Sequence, residues 1–386
     1  MRLLFLSPFV PSSERPDAYH HLRLLSRQHQ VTLVVLYTHE HELAPLKEWR
    51  DRLRQIVPLR LPVPGSLLSC AAHALTRWPL YLAYYYTPPL LRAIRRIAAD
   101  GRFDVVHAHT LRMAPYADAI DVPWKVCNTQ DVLTTRYHSY VRHPRRSPGW
   151  AIDCEEAWKF RRFEPALWRR MDHVGVVSEE EGEDALRLAP GLSIHVIRPG
   201  IDPDVFRPMA DLARPSVVVF LGRFSYRPNV DAALTAARVV FPLIRAQEPS
   251  AKLVLVGSDP PKALRALAGD GIEVTGRVDD VRPYLERASV SLCPMTTGGG
   301  VQNKILQALA METPVVTSVA GARGLGLSPG SELVVSETHE AMAAVCVELL
   351  RDTARGRELG AAGRQAVLRR HAWDVVAESL ERFHQR

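Results

Sequence analysis

The sequence predicts an α/β protein built from two doubly wound domains. Short runs rich in Val, Ile and Leu alternate with helical patterns along the chain, as in parallel sheets flanked by helices. The runs form two series, parted near residues 206–215, where two prolines flank a polar stretch. A length of 386 residues exceeds one ordinary domain and suits two.

The first series comprises residues 3–7, 31–37, 105–107, 125–127 and 174–177. Several of these runs carry β-branched residues and end in polar or turn residues, as strands buried on both faces do. The second series comprises 217–221, 253–256, 272–275, 290–293, 314–317 and 333–335, with helices expected between them, for example over 230–247 and 304–311. The expected domains are 1–208 and 209–370, with a helix over 371–386 packing back toward the first. There is no internal repeat. Doubly wound sheets take ligands at the carboxyl ends of their strands, beside helix N-termini. The residues just after each strand are therefore the place to look for chemistry.

Composition narrows the function classes. The 47% apolar and 24% charged fractions fit a folded soluble chain. The excess of basic residues, 49 against 42, suits an anionic ligand or an anionic membrane surface. It is too scattered to indicate nucleic acid, and no nucleic-acid-binding motif is present. Cys70, Cys127, Cys154, Cys293 and Cys346 form no C-x-x-C pair, which speaks against a zinc site or disulfide framework and for reduced thiols in a cytoplasm. The apolar run after Met1-Arg2 stops at Ser7-Pro8, too short for a signal peptide, and no run reaches membrane-spanning length.

The strongest signal is Pro294-Met295-Thr296-Thr297-Gly298-Gly299-Gly300-Val301-Gln302-Asn303-Lys304, between an expected strand and an expected helix. Glycines let backbone N–H groups approach a ligand, the helix N-terminus favours an anion, and Lys304 adds a positive charge. The plainer reading of the glycines alone is a flexible turn with a solvated lysine.

The residues around the loop extend the pattern. Lys304-Ile305-Leu306-Gln307-Ala308-Leu309-Ala310, then Thr313-Pro314-Val315-Val316, follow it; Phe220-Leu221-Gly222-Arg223, Val254-Leu255-Val256-Gly257 and Val274-Thr275-Gly276-Arg277-Val278 precede it. Upstream lie Arg198-Pro199-Gly200-Ile201-Asp202 with Phe206-Arg207-Pro208, Val177-Ser178-Glu179 and Asp104-Val105-Val106-His107-Ala108-His109. In order and spacing these resemble glycosyltransferase family four, over nearly the whole chain. Tyr226-Arg227-Pro228-Asn229-Val230-Asp231-Ala232 looks like a subgroup of bacterial exopolysaccharide sugar transferases. The resemblance implies the GT-B fold, two Rossmann-like domains facing across a cleft.

It also implies roles. Arg223, Lys304 and the amides of Gly298, Gly299, Gly300 and Val301 would hold the donor diphosphate, with Gly222 and Arg227 beside them. Uracil or guanine would rest near Arg277 and Val278, and His109 would reach the donor sugar. Family members usually carry two glutamates eight positions apart, where this chain has Gly299 and Gln307; Gln307 would accept from the ribose through its amide oxygen. The family's lysine five positions after the arginine is Pro228, and its small turn residue after Met311 is Glu312.

The implied activity is transfer of a sugar from a nucleoside diphosphate sugar to a polyprenol-linked or polysaccharide acceptor. The same resemblance implies retention at the anomeric carbon, with no metal or other cofactor. Two other classes stay open: a non-catalytic nucleotide-sugar-binding protein, and a nucleotide-sugar epimerase on a similar fold.

Some features have two readings. His107 and His109, at a strand end, are expected to face alternate sides of the sheet. The run Trp78-Pro79-Leu80-Tyr81-Leu82-Ala83-Tyr84-Tyr85-Tyr86, followed by Arg92, Arg95 and Arg96, suits an anionic membrane interface or ordinary core packing. His39-Glu40-His41-Glu42 lacks metal-site spacing, Glu179-Glu180-Glu181 suits a helix N-terminus, and Arg142-His143-Pro144-Arg145-Arg146 reads as a solvated loop.

Overall fold

A computed structural model of the chain describes residues 1–12, 15–142, 148–209, 215–297 and 300–385. The chain divides into two compact units: residues 1–198 with 376–386, and residues 199–375.

The first unit holds seven strands: β1 (Arg2–Ser7), β2 (Gln30–Tyr37), β3 (Gln55–Arg60), β4 (Val105–His109), β5 (Trp124–Gln130), β6 (His173–Val176) and β7 (Ile194–Val196). They form one sheet in the order β3-β2-β1-β4-β5-β6-β7, with every pairing parallel. The second unit holds β8 (Val217–Leu221), β9 (Lys252–Val256), β10 (Ile272–Gly276), β11 (Val290–Cys293), β12 (Val315–Ser318) and β13 (Val334–Ser336), in the order β10-β9-β8-β11-β12-β13, again all parallel. In both sheets the chain winds outward from its first strand, returns, and winds the other way. The reversal falls between β1 and β4 and between β8 and β11, and a crevice opens outside the strand ends at such a point.

The central strands are buried on both faces, which is why they read as unbroken apolar runs: Leu3, Leu4, Phe5 and Leu6 are fully buried, as are Val218, Val219 and Phe220. Two edge strands, β3 and β7, lack that signature. β3 carries Pro58, which an edge strand tolerates because one side of its backbone needs no partner. The helical stretch expected over 230–247 runs as Arg227–Thr235, a π-turn over Ala236–Val240, and Phe241–Gln247. The widened turn lies just before Pro242, whose ring lacks the N–H for an ordinary helical bond.

Residues 376–385 pack on the first sheet. Phe383 and His384 are fully buried, the Phe383 carbonyl accepts from His173 Nδ1 at 3.0 Å, and His29 meets Glu381 at 3.1 Å. Gly175 makes room: a Cβ there would lie 2.9 Å from Ile197 and 3.1 Å from Phe383. In the second unit, Ile201 N–H donates to the His371 carbonyl at 2.6 Å and buried His371 bonds the Pro199 carbonyl at 2.9 Å. These bonds tie residues 199–201 into that unit.

Among the described residues no helix is long and apolar enough to cross a membrane, and no group of three His, Cys, Asp or Glu could hold a metal ion.

Candidate functional site

In the second unit β8 ends at Leu221, and Gly222-Arg223 open the following loop. The loop lies against that of β9: a Cβ on Gly257, at φ 157°, would stand 1.8 Å from the Gly222 carbonyl oxygen, so only glycine fits. Asn229, in the first turn of the helix Arg227–Thr235, is buried. Its Nδ2 donates to the Arg223 carbonyl at 2.9 Å, and its Oδ1 accepts from Lys304 Nζ at 2.5 Å.

Lys304 comes from the helix Asn303–Ala310, which follows the loop after β11. Its ammonium lies 3.5 Å from Met295 Sδ and 5.2 Å from the centroid of the buried Phe220 ring. Burial holds its pKa below the usual lysine range, and the Cys293 thiol opposes that shift. Among the described residues Lys304 has no carboxylate partner. An amide oxygen, a thioether and a π face orient the charge without neutralising it.

The other expected donor residues take varied positions. Gly300 adopts φ 68°, a conformation that favours glycine, whereas Gly298 and Gly299 lie outside the described residues. Val301 is half-buried against the core. Gln307 is half-buried, one turn beyond Lys304. Arg223 is exposed; Arg227 is exposed and meets Asp231 of its own helix at 3.7 Å. Arg277 is exposed and Val278 half-buried, just beyond β10. Glu312 holds φ 56°, which explains why glycine is the usual residue at this turn. Ser318, the last residue of β12, donates to the Met295 carbonyl at 2.5 Å.

In the first unit, His107 and His109 lie on the same face, not alternate ones. Strand side chains repeat every second residue, and these two are two apart. Their rings stack at 6.0 Å, and Phe5 of β1 stacks on both, at 4.5 and 5.5 Å. His109 is fully buried, and among the described residues neither ring nitrogen has a hydrogen-bond partner. Burial, then the charge of Arg112, pushes its pKa down to about 3, so the imidazole is neutral near pH 7 and can both donate to and accept from a hydroxyl. His107 Nδ1 meets His384 Nε2 at 2.9 Å, and His384 Nδ1 meets the Leu380 carbonyl at 2.7 Å. The carbonyl requires a proton on His384 Nδ1, so in the neutral pair His107 is the donor to His384. Beside them Thr110 and Gln130 hold φ values of 71° and 66°, strained for residues with a Cβ.

The aromatic run packs inward. Tyr81, Tyr84, Tyr85 and Tyr86 lie half-buried on the first core, and Trp78 meets Tyr86 and Phe163 at 4.9 and 4.8 Å. The apolar side chains left in solvent lie earlier: Leu67, Leu68 and Leu75 are 60, 72 and 102% exposed. Glu42 caps its own turn by accepting from His39 N–H at 3.0 Å. Ser178 caps the helix Glu179–Leu188, and Glu181 accepts from Val132 N–H at 2.7 Å. Of the basic run near residue 144, positions 143–147 lie outside the described residues.

The model for Glycosyltransferase Family 4 matches residues 18–205, and that for Glycosyl transferases group 1 matches 215–352. The chain belongs to the family-four glycosyltransferases. It is 31% identical over 226 residues to a GDP-mannose-dependent alpha-(1-6)-phosphatidylinositol monomannoside mannosyltransferase of Mycobacterium tuberculosis, covering 52% of this chain and 57% of the relative. The chain thus spans little more than half of that relative's length. It is 26% identical to a phosphatidyl-myo-inositol mannosyltransferase of Mycobacterium leprae, over 78% of each chain. Its fold is similar to that of a sucrose-phosphate synthase from Thermosynechococcus elongatus, with TM-score 0.73, 18% identity, and 99% and 98% of the two chains covered. The architecture is GT-B: two parallel-sheet α/β domains. Asn229, Phe220 and Met295 stand within the sequence motifs, yet no signal in the sequence assigns them a part in orienting Lys304.

Proposed function

We propose that this family-four glycosyltransferase moves a sugar from a nucleoside diphosphate sugar to a lipid-linked or saccharide acceptor. One observation carries the reading: Lys304 is an oriented, half-buried cation with no carboxylate partner among the described residues, in the first turn of the helix that follows β11, beside the Arg223 loop. Such a group stabilises an anion that arrives with its ligand. As the bond from sugar to diphosphate breaks, charge grows on the diphosphate. Lys304, Arg223 and the N-terminal amides of the helix Asn303–Ala310 would meet that charge as fixed donors. The acceptor hydroxyl forms the new bond to the anomeric carbon, and its proton passes to the departing phosphate. We assign retention of configuration and no metal to the reaction, His109 to a sugar hydroxyl, Gln307 to the ribose, and the surroundings of Arg277 and Val278 to the base.

The mycobacterial relatives, whose names specify GDP-mannose or phosphatidylinositol, support a membrane-held acceptor and make GDP-mannose the first donor to try. We place the reaction in the cytoplasm, at the anionic inner surface of the membrane. A thermal-shift screen of GDP-, UDP-, dTDP- and ADP-sugars tests the donor half, because a ligand of the native state raises the unfolding temperature. A rise with one family of nucleotides is expected; no rise with any would sink the proposal. Radiolabel transfer to a lipid extract then separates a transferase from an epimerase, which needs no acceptor.

A further inference from the structure

Arg112 lies three residues beyond His109, in the short turn Leu111–Met113. Its guanidinium stands over two phenol rings, 4.9 Å from the centroid of Tyr81 and 5.0 Å from that of Tyr85. Nε donates to the Tyr81 hydroxyl at 2.7 Å, and Nη2 donates to the same oxygen. A guanidinium has five N–H bonds, so three are left without a protein acceptor among the described residues. No carboxylate pairs with Arg112 there either, whereas Arg136 meets Asp131 at 3.0 Å and Arg170 meets Asp118 at 2.8 Å. The side chain is half-buried, held by neutral rings and still charged.

A second guanidinium stands nearby. Arg15 lies 4.6 Å over the Phe9 ring, and the Phe9 ring meets His109 at 5.7 Å. Burial pushes the Tyr85 phenol up, and the fields of Arg112 and Arg15 both act against it. These residues follow β1 and β4, the adjacent strands at which the winding reverses.

We propose that this mouth of the first unit is a phosphate-ester subsite for the acceptor, with Arg112 as its principal ligand. The inference deepens the transferase reading and rests on it. A planar fork with spare donors matches phosphate oxygens, and aromatic stacking pre-orients the fork without cancelling its charge. The phosphate belongs to a lipid headgroup or to a free phosphate ester.

The test is calorimetry on the full chain with dihexanoyl phosphatidylinositol, glycerol 1-phosphate, neutral dihexanoylglycerol, GDP and UDP. Wild type should bind the two phosphate esters, and Arg112→Gln should weaken both by about tenfold or more. Arg112→Lys should recover part of the loss, and nucleoside diphosphate affinity should stay unchanged. Tighter binding of the lipid identifies a headgroup site, and equal binding of both esters identifies a site for the ester alone. The proposal is overturned if neither ester binds, or if Arg112→Gln binds them as wild type does. It is also overturned if dihexanoylglycerol depends on Arg112 to the same degree, or if GDP and UDP weaken in parallel. Should Arg112→Gln fail to fold, Tyr81→Phe, which removes the oxygen that orients the fork, must still weaken the esters by about threefold. A chain that binds phosphate esters through Arg112 but binds no nucleoside diphosphate would keep this site and lose the transferase reading.

Discussion

Asn229 Oδ1 and Lys304 Nζ meet at 2.5 Å, joining the first helix after β8 to the first turn of the helix after β11. The amide also holds the Arg223 carbonyl through its Nδ2 at 2.9 Å. One side chain therefore couples the two loops at the point where the second sheet reverses its winding.

The coupling makes the donor site sensitive to three substitutions. Lys304→Ala and Arg223→Ala should each weaken donor binding or turnover by about tenfold or more, by removing a charge-assisted contact. Asn229→Ala should cost about threefold to tenfold, because the ammonium keeps its charge and loses its oriented acceptor. Calorimetry with the preferred nucleotide sugar measures all three. Unchanged affinity and turnover in the two cation variants would refute the assignment.

Gln307 tests the ribose assignment. Gln307→Glu should keep or raise donor affinity, since a carboxylate accepts more strongly than an amide. Gln307→Leu should cost about 1–3 kcal/mol by leaving a hydroxyl unpaired. Equal binding by wild type and both variants would make it an ordinary helix residue.

Turnover should survive excess chelator, because fixed cationic and amide donors are assigned to the departing diphosphate. Loss of activity in chelator, restored by manganese or magnesium, would require a different mechanism.

The membrane assignment falls on the exposed leucines rather than on the aromatic run. Residues 52–99 contain seven arginines and no Asp or Glu. The chain should bind anionic vesicles and leave them at high salt. Leu67→Gln with Leu68→Gln should weaken that binding, and Tyr84→Phe should not. Equal indifference to neutral and anionic vesicles would remove the membrane from the proposal.

The buried imidazoles predict an acid limb in the stability of the first unit. Burial pushes His384 down to about 4 and His109 down to about 3, from an ordinary value of 6.5. The unfolded chain binds these protons first, so the contribution is complete above pH 6.5 and is lost as pH falls toward the folded values. For His384 alone the loss at pH 5 is about 2 kcal/mol. Denaturant melts from pH 7 to 4.5 should show the decline, and His384→Leu should flatten it. An equally steep decline in that variant would assign the acid sensitivity elsewhere.

The sequence by itself determined the architecture and the family. Central parallel strands are buried on both faces, so 3–7, 31–37 and 217–221 declare themselves as apolar runs whatever surrounds them. Lys304 stands out on other grounds, its place just after three glycines and the resemblance of the surrounding motif to the family's donor-binding region. Edge strands β3 and β7 were not legible, because β3 is half-solvated and broken by Pro58 and β7 is only three half-buried residues long. Only the tertiary structure showed that Asn229 holds Lys304 from 75 residues away. It alone showed that His107 meets His384 across 277 residues and that Tyr81 and Tyr85 cradle Arg112. Each of those contacts joins segments that meet only through the order of strands in a sheet, and side-chain pairings of that kind leave no periodic trace along the chain.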